Sequence, residues 1–148
     1  MQFKTNNIIK INNIPSIINR ENIISLISNF ILKEGYGIKK IEYNFISKDK
    51  MININKDYLS HNAETDIITF DYTDFKKIEA EIYLCYSIIK KNALENNQSV
   101  ENELVRVIIH GVLHCMGCDD KSKKEKKLMT DKENIFLKLF HVKHFKHV

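Results

Sequence analysis

VENELVRVIIHGVLHCMG, residues 100–117, is the stretch on which the fold turns. It reads as a strongly apolar helix over Val100–Met116, with Val107, Ile108, Ile109, Val112 and Leu113 implying burial. Gly117 stops it, since glycine readily takes the left-handed conformation that ends a helix. Just downstream, Ser122 and Glu125 have the spacing of a capping box, which starts a last helix running to about Phe140. Upstream, a strand is expected at Asn7–Asn12. Asn19 then caps a helix over Glu21–Glu34, whose apolar residues include Ile23, Ile24, Ile27, Phe30 and Ile31 and which Gly35 stops. β-Branched and aromatic residues predict strands at Ile38–Ser47, Thr65–Tyr72 and about Glu79–Leu84, and shorter helices are expected at Lys50–Leu59 and Tyr86–Asn96. Strands interleave with helices in the first half, and helices dominate the second. The expected class is α+β, a single domain with a small mixed four-stranded sheet packed by about five helices.

Composition agrees with one soluble domain. The chain has 148 residues, long enough for one core, with 43% hydrophobic and 28% charged residues, far from the signature of disorder. It contains no apolar run of membrane-spanning length and no export signal at its start, so the expected compartment is the cytoplasm, without a membrane partner. Three cysteines, Cys85, Cys115 and Cys118, cannot all pair within one chain and are expected as thiols. The net charge of +4 permits an anionic partner without demanding one. Scattered Lys and Asn carry little weight in a chain so rich in Ile, Asn and Lys.

His110 and His114 lie four residues apart, so on a helix both imidazoles project from one face and can reach one ion. After the Gly117 reversal, Asp119 or Asp120 can fold back beneath the pair. The apolar neighbours should also make protonation costly and keep both rings neutral, as metal ligation requires. Three other readings compete. The histidines could simply hydrogen-bond nearby carbonyls. Cys115 and Cys118, with CxxC spacing, could join them in a closed structural zinc site, although Cys115 points about 100° away from His114 around the helix. A zinc peptidase would carry Glu after the first His, but Gly111 stands there and the general base is missing.

The segment from His110 to Asp120 resembles the signature of the YbeY endoribonucleases, the rRNA maturation factors, which is His-Gly-x-Leu-His-Leu-x-Gly-Tyr-Asp-His. Its first five positions match at His110, Gly111, Val112, Leu113 and His114. A second block of that family is similar to Thr65-Asp66-Ile67-Ile68-Thr69-Phe70, preceded by Asn55 and Tyr58, and a third to Ala80-Glu81-Ile82. The resemblance implies a metal-dependent hydrolase domain over 1–148 and one zinc ion per chain. The ion would be held by His110, His114 and Asp120, Asp120 standing where the family has a third His. Asp119 matches the family's Asp, which steadies the site from outside the ligand set. The Arg that often follows the family's Tyr is Leu59 here, and His61 is a candidate replacement.

The implied activity is a zinc-dependent endoribonuclease that prefers single strands and acts in rRNA maturation and ribosome quality control, with RNA and the ribosome as partners. Glu81 and Asp66 are candidate catalytic carboxylates for orienting water. Lys121, Lys123 and Lys124, in a run with Lys126 and Lys127, are candidates for binding RNA, against the alternative of a solvated helix face. His141, His144 and His147 read as an exposed tail. The alternative of another class is a non-catalytic ribosome- or rRNA-binding factor whose metal only stabilises the fold.

Overall fold

The computed structural model describes residues 8–59 and 65–146, with side chains to residue 58 and from 65 to 142. Its elements are β1 Ile9–Asn12, α1 Arg20–Lys33, β2 Gly37–Phe45, α2 Lys48–Leu59, β3 Ile67–Asp71, β4 Lys77–Leu84, α3 Tyr86–Glu95, α4 Val100–Cys115 and α5 Lys123–Lys146. The strands form one sheet in the order β1-β2-β4-β3. The β1–β2 and β2–β4 pairs are parallel, and β3 joins the edge antiparallel to β4. The fold is therefore α+β with a mixed four-stranded sheet and five helices, as the sequence led us to expect. No helix among the described residues is long and apolar enough to cross a membrane.

Local chemistry sets the boundaries. Asn19 accepts from the Asn22 N–H at 2.9 Å and opens α1. Ser47, expected to end the second strand, instead opens α2: its hydroxyl accepts from the Lys50 N–H and its carbonyl from the Met51 N–H, so β2 stops at Phe45. Ser99 caps α4 by accepting from the Asn102 N–H at 3.0 Å. Ser122 and Glu125 exchange bonds of 2.9 and 3.1 Å, the reciprocal capping box at the head of α5. That helix does not end near Phe140. It continues to Lys146, and His141 is no part of a loose tail: its Nε2 lies 2.7 Å from the Asn102 Oδ1, which fastens α5 to α4. Asn7 and His147 lie outside the described residues.

The core lies on one face of the sheet. Ile41, Tyr43 and Phe45 of β2 and Ile78, Ala80, Ile82 and Leu84 of β4 point there, every second residue, and meet α1, α4 and α5. Each fully buried Ile or Leu contributes about 1.5–3 kcal/mol. Tyr43 also donates its buried hydroxyl to the Ile108 carbonyl at 3.0 Å, which ties the sheet to α4. A smaller cluster on the opposite face contains Met51 of α2 with Ile68, Cys85 and Ile88.

At Gly111, α4 comes closest to the sheet. A Cβ there would stand 3.1 Å from Ile67 Cδ1 and Thr69 Oγ1 and 3.2 Å from Ile82 Cδ1. Gly111→Val is accordingly expected to cost about 1–3 kcal/mol through overpacking, read as a lower urea midpoint at unchanged slope.

Candidate metal centre

His110 and His114 sit one turn apart near the C-terminal end of α4, with ring centroids 4.7 Å apart. Gly117 takes φ +85, and the Cys118 N–H returns to the Leu113 carbonyl at 3.0 Å, closing the helix in the left-handed manner the glycine predicts. The reversed chain brings Asp120 back to the pair: its Oδ2 is 3.7 Å from His110 Nε2 and 3.8 Å from His114 Nε2. The two Nε2 atoms are 3.1 Å apart. A point equidistant from these three atoms lies about 2 Å from each, the length of a zinc–nitrogen or zinc–carboxylate bond. Two ring nitrogens facing one another this closely need a proton or a cation between them. The residues present therefore fit a divalent ion, and they are the one group of at least three His, Cys, Asp or Glu found with this geometry among the described residues.

The other candidates fall in different places. Asp119 is outside the group, but its Oδ1 accepts the Asp120 N–H at 2.8 Å and so shapes the turn that presents Asp120. Asp66 precedes β3, receives the Asn92 amide at 3.4 Å, and shares a cleft of 150 Å³ with Arg106, His110 and Glu133. Glu81 does not reach the histidines. Its neighbour Ile82 points at Gly111, so alternation along β4 turns Glu81 to the other face of the sheet, where Tyr72 donates to it at 3.1 Å. Lys121, Lys123 and Lys124 are exposed where the chain leaves Asp120 for α5. His61 lies outside the described residues.

The cysteines do not join the site. Cys115 is buried, and burial together with Asp71 pushes its thiol up to about 12, so it stays protonated against the sheet. Cys118 packs beside the core, its thiol also pushed up by burial. Neither belongs to the ligand group.

Two features correct the sequence reading. The imidazoles are not deeply buried, with 25% and 33% of their side-chain surfaces exposed. Burial does oppose protonation of His110, but a hydrogen bond from its ring to Glu133 and the charges of Glu133, Asp120 and Asp66 outweigh it, and the pKa rises above its ordinary 6.5. Glu133 is the residue the sequence reading missed. It comes from α5, with its Oε2 2.6 Å from His110 Nδ1 and its Oε1 2.8 Å from Arg106. The signal was a single carboxylate within the helical stripe Met129, Phe136, Leu137 and Phe140, all of them buried.

The family model described as Endoribonuclease YbeY matches residues 4–141. The chain belongs to this family. Among YbeY endoribonucleases, that of Flavobacterium psychrophilum is 42% identical over 120 residues, covering 81% of this chain and 86% of the relative. That of Cytophaga hutchinsonii is 40% identical over 121 residues, covering 81% and 85%. A solution structure of a Thermotoga maritima protein superposes with a TM-score of 0.64 at 30% identity, covering 87% of this chain and 86% of that one.

The raised His110 pKa has a sign that can be checked in the metal-free protein. The folded state holds the His110 proton more tightly than the unfolded state, so its contribution to stability is fully present below pH 6.5 and is lost as pH rises through the folded-state pKa. Urea unfolding followed against pH in the presence of a chelator should show that decline, and His110→Gln should remove it.

Proposed function

We propose that this chain is a zinc-dependent endoribonuclease that prefers single-stranded RNA and acts in the cytoplasm in rRNA maturation and ribosome quality control. The observation that carries this reading is the convergence of His110, His114 and Asp120 on a point about 2 Å from each, in a member of a family named for cleavage within RNA. Residues 1–148 are read as one metal-dependent hydrolase domain.

When bound, a zinc ion supplies Lewis acidity toward a phosphate oxygen or a water molecule. The chain's own residues do the rest. His110 and His114 hold the ion through Nε2, and Asp120 adds a carboxylate oxygen, leaving one side of the centre open to substrate. Asp66, which shares the cleft beside His110 with Glu103 and Glu133, is our candidate for orienting water or holding a proton. Glu81, on the far face of the sheet, has no part in this.

The lysines face the substrate. Lys123 and Lys124 occupy the first turn of α5, where cations oppose the helix dipole by about 0.3–1 kcal/mol each, so an incoming phosphate relieves an unfavourable arrangement. Lys127 is paired with Asp131 at 3.1 Å, whereas Lys121, Lys123 and Lys124 follow Asp120 most closely in the chain and are exposed.

Purified, nuclease-free protein incubated with labelled single-stranded RNA is the direct test. Cleavage should occur with zinc and disappear in a folded His114→Ala variant. RNA binding without cleavage in the zinc-loaded wild type would overturn the nuclease reading in favour of a binding factor with a structural metal. Chelation should also lower the melting temperature, because the ion binds only the native arrangement.

Replacing Lys121, Lys123 and Lys124 together with Gln should weaken RNA binding irrespective of sequence and flatten its salt dependence, by about 0.7 in slope for each phosphate that is no longer neutralised. Metal content should not change. Filter binding across a salt series reads the affinity and the slope, and elemental analysis reads the metal.

A further inference from the structure

We propose that Glu133 is a positioning residue of the metal centre: it selects the tautomer of His110 that leaves Nε2 unprotonated toward the ion, and Arg106 holds it in that role. The proposal rests on reading His110, His114 and Asp120 as the ion site, and adds the carboxylate behind it.

Glu133 is buried on α5, with 8% of its side chain exposed. A carboxylate there needs a compensating charge. Arg106 of α4 provides it, 2.8 Å from Oε1, while the second guanidinium nitrogen donates to Asn134 Oδ1 at 2.8 Å and fixes the plane of the group. The other carboxylate oxygen, Oε2, faces His110 Nδ1 at 2.6 Å. An ionised carboxylate can only accept hydrogen bonds, so at this distance Nδ1 carries the proton. A neutral imidazole has one N–H. Nε2 is then bare, and Nε2 is the atom that faces His114 and Asp120. A carboxylate holding the far nitrogen of a metal-binding His fixes both its tautomer and its ring orientation, and losing such a partner typically weakens metal binding 10- to 100-fold.

Glu133→Gln separates this role from that of a salt bridge which merely joins two helices. Glutamine has the same shape but offers one acceptor and one donor group. Arg106 has only donors and claims the amide oxygen, so the amide NH₂ turns to His110 Nδ1, which must now accept. The proton moves to Nε2, where the ion belongs.

The measurements are the ring ¹⁵N–¹H correlations of His110 in metal-free protein at alkaline pH, and zinc affinity by competition with a chromophoric chelator. We expect the Nδ1–H form in the wild type, the Nε2–H form in Glu133→Gln, and zinc binding about 10- to 100-fold weaker in the variant. Removing the competing donor in Glu133→Gln/Arg106→Leu should restore the Nδ1–H form and part of the affinity. A wild type with His110 in the Nε2–H form overturns the proposal even if the variant fails to fold. So does weaker zinc binding without a tautomer change, which would make Glu133 a structural prop. A wild type that binds no zinc overturns the reading of the site itself, whereas equal zinc affinity in wild type and variant overturns the positioning role alone.

Discussion

The close approach of α4 to the sheet at Gly111 is the constraint on which the rest depends. With Ile67, Thr69 and Ile82 already within about 3 Å of where a Cβ would stand, the helix can lie this near β3 and β4 only if the side chain is missing. His110 precedes that glycine and His114 follows it by three residues, so the same approach fixes the height and rotation of both imidazoles over the edge of the sheet. The glycine also answers the peptidase alternative in structural terms. The position that would hold a general-base Glu is pressed against the sheet, and a carboxylate would have no room there.

What was legible in the sequence was local. The His pair, the Gly117 reversal and the Ser122–Glu125 box each depend on residues within five or six positions of one another, and the helix that joins them is marked by its own apolar pattern. What was not legible depends on which faces meet. Glu81 alternates with two apolar neighbours and so must lie opposite them, but only the packing of α4 reveals that the histidines share the side of Ile82. Glu133 is 23 residues from His110. Its carboxylate stands out within an apolar stripe, yet the partner that explains it is set by how α5 lies across α4. The true length of α5 was hidden for the same reason, since the bond that anchors His141 is to Asn102, on another helix.

The charges around the centre are sorted by depth. Carboxylates lie inward, with Asp66, Glu103 and Glu133 lining the cleft behind His110, and Arg106 as their counter-charge. Burial, with Asp66 nearby, pushes the Glu103 carboxyl up, so this pocket resists taking on more negative charge. Cations lie outward, on the turn and the first helical residues after Asp120. On the proposed function, a polyanion meets these lysines at the rim first, and the inner acids lie behind the proposed ligands.

Cys115 gives the centre a chemical property that its ligands alone would not. A thiolate adjacent in sequence to His114 would be the first atom attacked by peroxide. Turned to Asp71 and held as the thiol, this sulfur is a poor nucleophile and a slow entrant to the path from sulfenic to sulfonic acid. The proposed donor set, His110, His114 and Asp120, offers nitrogen and oxygen and no sulfur. A zinc ion held by the proposed ligands would therefore outlast an oxidative burst that strips zinc from a cysteine-ligated site.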